Sequence, residues 1–274
     1  MATLEDIVNT HYGGRSIYDR ICAALEAAGV GRGDVTTNDL RAVDEFHIGG
    51  NTATAHLLDP LGIGAQTHVL DIGCGIGGPA RFIEQKYGAR VTGLDLTQEY
   101  VDTARKLTAD LGMRAEFVHG SALDMPFGPA GFDMATVIHV GMNLPDKSQL
   151  FQEVDRVLKP GGTFAIYDVM LHVAHPPFPL PWASEPAGSF LAPPQTYRDA
   201  SSDVGFLMVN ETPRGKAAKE FFAVQKARAN AGNLPKVSLP VLVGKEAPEK
   251  FANMIAAVQA GDIEPIEMIF RKAA

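Results

Sequence analysis

The 274-residue sequence predicts an α/β protein built on a mostly parallel β-sheet. Short apolar runs alternate along the chain with longer segments in which apolar residues recur at helical spacing. The run at 132–139 is almost entirely apolar, as expected for a strand that is covered on both faces. A glycine-rich turn follows the apolar run 69–72 and leads into a predicted helix, which begins near Pro79 and ends at Gly88.

The first part of the chain is predicted to be helical. Apolar residues in 4–30 recur at helical spacing around a Gly-Gly break, which indicates two helices. A further helical region covers 40–61 and contains the string DEFHIGG. Asn51 or Thr52 is expected to cap the last helix of this region, which Pro60 ends. No strand is predicted before the glycine turn.

The glycine turn at 69–78, VLDIGCGIGG, is expected to bind a small polar ligand. Glycine lacks the Cβ that would block a close approach, and the following helix adds unpaired N–H groups and a positive dipole end. Gly73, Gly75 and Gly78 fit the G-x-G-x-x-G pattern of dinucleotide-binding proteins. Gly73, Gly75 and Gly77 fit the G-x-G-x-G pattern of enzymes that use S-adenosyl-L-methionine (SAM). The glycines alone do not choose between these ligands.

Two further predicted strands end beside this turn. The strand at 90–95 ends in Asp95, and a carboxylate at the carboxyl end of a parallel strand can accept hydrogen bonds from both ribose hydroxyls. Asp95 is therefore the predicted ribose ligand, with an N-terminal cap before Thr97 as the alternative role. The strand at 115–118 leads into a loop at 119–126 that is placed to lie beside a bound base.

The second half completes the sheet. Its predicted strands and extended segment are 163–169, 206–209, 237–243 and 263–270, and its predicted helices are 150–158, 197–204, 216–229 and 247–258. Seven prolines between 172 and 194 exclude regular structure there, while the apolar residues among them favour an ordered lid over disorder. The last predicted strands are compatible with a sheet that ends in an antiparallel strand. We therefore expect a helical cap at 1–62 over a sheet domain at 63–274 with a lid at 170–198.

Composition excludes several function classes. The net charge is −8 with no long basic run, which argues against nucleic acid as the main partner. No apolar run approaches the length of a membrane span, and the first residues lack the regions of a signal peptide, so we expect a cytoplasmic protein. Cys22 and Cys74 are too far apart for a metal motif, and no metal is expected. The sequence does not decide whether the chain forms a homo-oligomer.

Five ordered motifs resemble those of the class I SAM-dependent methyltransferases. They cover residues 69–169 and read VLDIGCGIGG, GLDLT, a loop ending in LDMPF, FDMATVIHV and VLKPGGTFAIYDV. LKPGG before a strand is not expected of a nicotinamide oxidoreductase, so the resemblance favours SAM over a dinucleotide. HIGG, GGPAR and HVGMNLPDK resemble the subgroup with the sarcosine/dimethylglycine N-methyltransferases, and PDK and LKPGG more loosely resemble γ-tocopherol C-methyltransferases.

The resemblance implies a Rossmann-like, seven-stranded sheet with an antiparallel last strand and SAM at the carboxyl ends of the first strands. The glycines would line the methionine and ribose, Asp71 would organise the turn, and Leu96 would pack on the adenine. The family often has an acidic residue where Ser121 stands, so the polar partner of the adenine differs here. The implied SAM-binding residues are Asp71, Gly73, Gly75, Gly77, Asp95, Leu96, Ser121, Ala122, Leu123 and His139.

Little catalytic machinery is needed, because the methyl group of SAM is already activated and mainly requires alignment and exclusion of water. An amine acceptor must be unprotonated, and a phenol or quinol profits from losing its proton, so a histidine can help. His139 is the first candidate for this catalytic role and His47 the second. The alternatives are a neutral His139 that only hydrogen-bonds SAM, and a structural His47.

The acceptor pocket is predicted to have aromatic walls, because aromatic faces attract sulfonium or developing ammonium charge. The candidates are Tyr12, Phe46, Trp182 and Tyr197, and Trp182 has the alternative role of anchoring the lid. A carboxylated amine also requires a cationic partner. Arg15, Arg20 and Arg198 are available for it.

The sequence thus predicts a SAM-dependent methyltransferase whose partner is a small-molecule methyl acceptor. N-methylation of a small amine such as sarcosine or dimethylglycine is preferred over C-methylation of a quinol- or tocopherol-like ring. An alternative from another class is a SAM-binding regulatory module without catalysis.

Overall fold

The structure is a computed structural model that describes residues 16–233, 237 and 246–274. The helices are α1 (Ile17–Ala27), α2 (Thr37–Asp44), α3 (Gly50–Leu58), α4 (Gly78–Tyr87), α5 (Gln98–Asp110), α6 (Lys147–Val157), α7 (Pro194–Asp203), α8 (Gly215–Asn230) and α9 (Ala247–Ala260). The strands are β1 (His68–Ile72), β2 (Arg90–Asp95), β3 (Glu116–His119), β4 (Phe132–Ile138), β5 (Leu158–Leu171), β6 (Leu207–Pro213) and β7 (Ile263–Arg271). The predicted helix before the Gly-Gly break and most of the extended piece at 237–243 lie outside the described residues.

The seven described strands form one sheet in the order β3-β2-β1-β4-β5-β7-β6. The first five pair in parallel, and β7 runs antiparallel to both β5 and β6. The strand order reverses between β1 and β4, which opens a crevice at the carboxyl ends of these strands. The predicted fold class, a mostly parallel seven-stranded sheet with an antiparallel last strand, is confirmed.

Both faces of the sheet are covered, which explains the apolar strands. Successive residues of a strand point to opposite faces, so neighbours on β5 enter different cores. Phe164 packs with Phe151 and Phe270, with ring centroids 5.2 and 5.3 Å from that of Phe151. The next residue, Ala165, lies on the other face with Met134. This two-sided burial fixes the register of the central strands.

Several element boundaries differ from the prediction for local reasons. β5 extends beyond 163–169 because it pairs with β7 all the way to Leu171. The predicted cap at Asn51 or Thr52 is wrong, since both residues lie inside α3. The residue before α3 is Gly49, whose φ of 94° turns the chain. That left-handed conformation favours glycine, so a cap side chain is not used there.

The glycine turn leads into α4 as predicted. Gly77 precedes the helix with a φ of 88°, and Gly88 ends it with a φ of 70°. The predicted left-handed cap at Gly88 is therefore confirmed, and Pro79 occupies an early helical position where its missing N–H is not needed.

The N-terminal helices are held to the sheet domain by a buried ion pair. Arg81 of α4 donates from Nη2 to Oδ2 of Asp44 at 2.8 Å and from Nη1 to Oγ1 of Thr108 at 3.0 Å. A Cβ on Gly78 would lie 2.1 Å from the carbonyl oxygen of Asp44, so only glycine allows α2 to approach α4 this closely. The contact fixes the residues after Asp44 directly over the glycine turn.

The segment between β5 and α7 is packed against the rest of the molecule. Leu180 is fully buried, and Nε1 of Trp182 donates to Oγ of Ser189 at 3.0 Å. The amide of Phe190 donates to the carbonyl of Met142 at 2.8 Å. A lid function for this segment stays a prediction. No described helix combines the length and apolar character needed to cross a membrane.

Removing one partner of the buried ion pair should destabilise the protein strongly. We expect Asp44→Asn to lower the free energy of unfolding by about 3–5 kcal/mol, because Arg81 is left as an uncompensated buried charge. Urea denaturation measures the change. Arg90→Met is the matched control, since Arg90 pairs with Glu116 at 3.6 Å on the surface and its loss should cost less than about 1 kcal/mol. Equal effects of the two substitutions would contradict this role.

Candidate active site

A deep cleft opens at the carboxyl ends of β1, β2 and β4. The glycine turn and the ends of β2 and β4 line one part of it, and the segment that follows α2 covers them. The lid, α8 and α9 line the remainder. The cleft thus lies at the point where the strand order reverses, which is the expected ligand site of such a sheet.

Asp95 holds the glycine turn in place. Its Oδ2 accepts a hydrogen bond from the amide of Gly75 at 2.8 Å, and its Oδ1 accepts one from the amide of Thr97 at 2.9 Å. Burial raises the pKa of the Asp95 carboxyl, and these amide donors oppose the rise. A carboxylate oxygen can accept more than one hydrogen bond, so Asp95 retains acceptor capacity toward the cleft that it lines.

Two residues predicted to contact SAM do not line the cleft. A Cβ on Gly77 would lie 2.7 Å from both Nη1 of Arg81 and Cζ of Phe117, so this glycine is packed inside. Asp71 is fully buried, and its Oδ1 accepts from Oγ1 of Thr136 at 2.8 Å. Among the described residues, Asp71 makes no hydrogen bond to the turn. These two predictions need correction, because Asp95 rather than Asp71 organises the turn.

The predicted base-binding residues do meet in the cleft. Leu96 is about half exposed there, which is unusual for a leucine and leaves its side chain available for packing. Ser121, Ala122 and Leu123 lie opposite, at the end of β3. Oγ of Ser121 accepts a hydrogen bond from the amide of Leu123 at 3.1 Å, and this bond stabilises the loop after β3. Gly73 and Gly75 complete this part of the lining.

His139 stands at the end of β4 with an unused ring nitrogen. Its amide donates to the carbonyl of Tyr167 at 2.7 Å, and its φ of 54° is rare for a residue with a side chain. Nε2 is buried and has no hydrogen-bond partner in the described part of the chain. Burial lowers the pKa of His139 well below its ordinary value, and the nearby His47 lowers it further. His139 is therefore a neutral imidazole.

His47 and Glu45 lie beside His139, and burial disfavours their charged forms too. The rings of the two histidines are 5.9 Å apart. Nε2 of His47 lies 3.0 Å from the carbonyl oxygen of Gly50, and since a carbonyl only accepts, this nitrogen carries the proton. Burial lowers the pKa of His47 to about 4. Burial raises the pKa of Glu45, whose Oε2 is 3.3 Å from Nε2 of His47, well above its ordinary value.

The predicted acceptor residues are only partly brought together. Phe46 and Trp182 line the cleft, whereas Tyr12 lies outside the described residues. Tyr197 does not line it, because its hydroxyl donates to Oδ2 of Asp168 at 2.7 Å within the core. The prediction for Tyr197 is wrong. That prediction rested on the aromatic ring of Tyr197, and the ring packs in the core instead.

The arginines that were considered as partners of an acceptor carboxylate do not line the cleft in the described part of the chain. Arg198, one of the three arginines available for this role, donates to both oxygens of Glu211 at 2.8 and 2.9 Å and does not line the cleft. Arg20 does not line the cleft, and Arg15 lies outside the described residues. Arg214 is one of several cationic residues in the lining that the sequence did not single out; the others are Arg41, Lys219, Lys226, Arg228 and Lys250. Within the described chain, no group of three or more His, Cys, Asp or Glu residues is arranged to hold a metal ion.

Residues 70–166 match the model of a family described as a methyltransferase domain. Methyltransferase GfsG of Streptomyces halstedii is 33% identical over 135 residues, which are 48% of this chain and 49% of that protein. Sterol 24-C-methyltransferase ERG6B of Gibberella zeae is 37% identical over 118 residues, which are 42% of this chain and 31% of that protein. The chain thus spans half or less of the length of these curated relatives.

Solved structures share the fold at low identity. Haemonchus contortus phosphoethanolamine N-methyltransferase 2 aligns with a TM-score of 0.71 at 19% identity, over 93% of this chain and 60% of that chain. A putative sarcosine dimethylglycine methyltransferase from Galdieria sulphuraria aligns with a TM-score of 0.62 at 21% identity, over 81% and 84% of the chains. Nothing in these comparisons supports the resemblance to tocopherol methyltransferases.

The low pKa of His47 predicts a specific pH dependence of stability. The unfolded chain takes up a proton near pH 6.5 and the folded chain only near pH 4, so the stability from neutral His47 is present above pH 6.5 and is lost as the pH falls to 4. We expect the difference in unfolding free energy between the wild type and His47→Gln to fall by about 3 kcal/mol across this range.

Urea denaturation at several pH values between 7 and 4 measures this difference. The same comparison in a Glu45→Gln background removes the titration of the neighbouring acid. A difference that does not change with pH in either background would show that His47 titrates normally in the fold.

Proposed function

We propose that this chain is a SAM-dependent methyltransferase of small molecules, and that its methyl acceptor is a small amine. The observation that carries the proposal is the cleft itself. One end combines the glycine turn with Asp95, and the other end is a desolvated cluster of neutral polar groups around His139. Such a pairing supports the binding of a nucleotide-like ligand and a second small molecule side by side.

The glycine turn and its surroundings fit SAM. Gly75 has a φ of 55°, and a Cβ there would meet only the ring of Phe46 at 3.8 Å, so its backbone is open to a ligand in the cleft. Asp95 would accept the ribose hydroxyls, and Leu96 would pack on the adenine with Ala122 and Leu123 opposite. When bound, SAM supplies a methyl group on a sulfonium that needs little further activation.

The acceptor end favours a neutral amine. A charged ammonium loses hydration in a desolvated site, whereas a neutral amine carries the lone pair that the transfer requires. Nε2 of His139 can then accept a hydrogen bond from the amine N–H, provided that the ring proton is on Nδ1. Because burial keeps His139 neutral, we assign it to positioning the acceptor rather than to net proton removal. Phe46 and Trp182 would stabilise the ammonium charge that develops during transfer.

C-methylation of an apolar acceptor is the second candidate. The outer wall of the cleft is built by Phe221, Phe251 and Met254, which suit a large apolar body. The similarity to a sterol C-methyltransferase supports this alternative. Turnover of any acceptor would exclude the third possibility, a SAM-binding module without catalysis.

Ligand stabilisation followed by an acceptor screen tests the proposal. A ligand that binds only the folded state raises its apparent melting temperature. We expect SAM and S-adenosylhomocysteine to raise it and NAD to leave it unchanged. Methyl transfer is then screened over sarcosine, dimethylglycine, uncharged tertiary amines and apolar alkenes. Stabilisation by NAD alone would overturn the proposal, and transfer only to carbon would select the second candidate.

Asp95→Ala should weaken SAM binding severely while the fold persists. Each hydrogen bond from a ribose hydroxyl to the carboxylate contributes about 1.5–3 kcal/mol, so we expect at least about a 100-fold loss of affinity by calorimetry. Asp124→Ala is the matched control, because Asp124 is an exposed acid on the adjacent loop that does not line the cleft. An unchanged SAM affinity in Asp95→Ala would refute the ribose assignment.

His139→Asn should reduce turnover much more than SAM affinity. Asparagine tolerates the positive φ at this position better than most residues, so the backbone is expected to hold. Loss of the positioning hydrogen bond should lower kcat by about 100-fold. Steady-state kinetics and calorimetry measure the two effects. Equal losses of turnover and SAM affinity would instead make His139 a ligand of the methyl donor.

A further inference from the structure

Arg214 is a cationic residue anchored in the wall of the cleft. It immediately precedes α8, and its amide donates to the carbonyl of Pro265 on β7 at 2.8 Å. The backbone of Gly215 is also held, since its amide donates to Oε1 of Glu264 at 3.0 Å. Arg214 therefore projects from a fixed point on the sheet rather than from a loose loop.

The guanidinium of Arg214 is largely buried and poorly compensated. Its side chain is 15% exposed. Among the residues that the structure describes, its ion-pair partner is Glu267, with Nε 3.5 Å from Oε1, and Nε has no hydrogen bond. Both carboxylate oxygens of Glu267 are instead within 3.0 Å of Nδ1 of His56. Burial raises the pKa of Glu267, and the charges of Arg214 and His56 oppose that rise.

A buried guanidinium without hydrogen bonds to its protein surroundings is unfavourable unless another group satisfies it. Arginine offers a planar set of N–H donors that matches the two oxygens of a carboxylate or of a phosphate. Because Arg214 lines the cleft, a ligand in the cleft can provide those oxygens.

Tyr167 relates Arg214 to the acceptor end of the cleft. The ring of Tyr167 lies 4.9 Å from that of His139, and its hydroxyl donates to the carbonyl of Ile48 at 2.9 Å. Tyr167 stands directly opposite Glu267 in the antiparallel pairing of β5 and β7, and Oε1 of Glu267 lies 3.5 Å from Nε of Arg214. Residues that are directly opposite point to the same face of a sheet, so Tyr167 and the guanidinium of Arg214 lie on one face. A small molecule that spans Tyr167 would therefore reach from His139 to Arg214.

We propose that Arg214 binds an anionic group of the methyl acceptor, either a carboxylate or a phosphate monoester, while the amine lies near His139. The acceptor is then an amino acid or an aminoalkyl phosphate rather than an uncharged amine. This inference rests on the proposed methyltransferase function and refines its substrate class. Arg214 thus takes the cationic role for which Arg15, Arg20 and Arg198 were the available candidates in the sequence.

Anion binding can be observed without turnover. NMR spectra are recorded on the protein loaded with S-adenosylhomocysteine. The Nε–Hε resonance of Arg214 is assigned as the signal that is missing from the spectrum of Arg214→Lys. We expect acetate or inorganic phosphate to shift this resonance in a saturable manner, with sodium chloride at equal ionic strength as the control. The anion that binds more tightly identifies the group. A resonance that moves with neither anion would overturn the proposal.

Kinetics test the same residue with real acceptors. Dimethylglycine, dimethylaminoethanol and dimethylaminoethyl phosphate provide a carboxylate, an uncharged hydroxyl and a phosphate on the same dimethylamine. We expect Arg214→Met to raise KM for the preferred anionic acceptor by about 10- to 100-fold and to leave SAM affinity unchanged, because one charge-assisted contact is lost. Arg198→Met is the matched control, since Arg198 also pairs with a glutamate but lies outside the cleft.

The outcomes separate this inference from the proposed function. Loss of SAM binding by the wild type would refute the methyltransferase proposal itself. If SAM binds and KM for all three acceptors is the same in Arg214→Met and the wild type, only the role of Arg214 is refuted. Compared with Arg214→Met, Arg214→Lys should recover part of the affinity for an acceptor with a phosphate and less of the affinity for one with a carboxylate. The reason is that lysine lacks the planar set of N–H donors of arginine.

Discussion

The buried ion pair between Arg81 and Asp44 is the constraint on which both ends of the cleft depend. It draws α2 against the first turn of α4 so closely that Gly78 faces the carbonyl of Asp44. The next residues along the chain, Glu45 to His47, are thereby placed over the glycine turn. One interaction thus joins the part of the cleft that would hold SAM to the part that would hold its acceptor.

The same desolvation gives the acceptor end its chemistry. Burial lowers the pKa values of His47 and His139 and raises that of Glu45, so desolvation disfavours the charged form of all three side chains. A site of this kind has little capacity to take up a proton by itself. It can hold a neutral nucleophile in one orientation while water is excluded, which is the larger requirement when the methyl group is already activated.

The fold was predictable because the spacing of apolar residues and the positions of glycines indicate local secondary structure. Burial of the sheet on both faces then stabilises that secondary structure. Part of the cleft lining was predictable as well, since Asp95 ends a strand and Leu96 and Ser121 follow strands, so that all three meet at one edge of the sheet. The contributions of side chains from widely separated segments of the chain were not predictable. Glu45 and Arg214 lie far apart in the chain, and the apolar face of α7 directs Tyr197 into the core by packing that sequence spacing does not encode.

Charge balance connects Arg214 with the rest of the cleft. With a sulfonium expected near His139, the guanidinium of Arg214, which is 3.5 Å from its partner Glu267 and has no hydrogen bond from Nε, would add positive charge to a poorly solvated part of the cleft. Two cations in such a medium repel each other, because low dielectric strengthens Coulomb interactions. An acceptor with one anionic group would remove that repulsion and satisfy the donors of Arg214 at once. An uncharged acceptor would leave both unfavourable contributions in place, so the cleft is expected to select the anionic molecule.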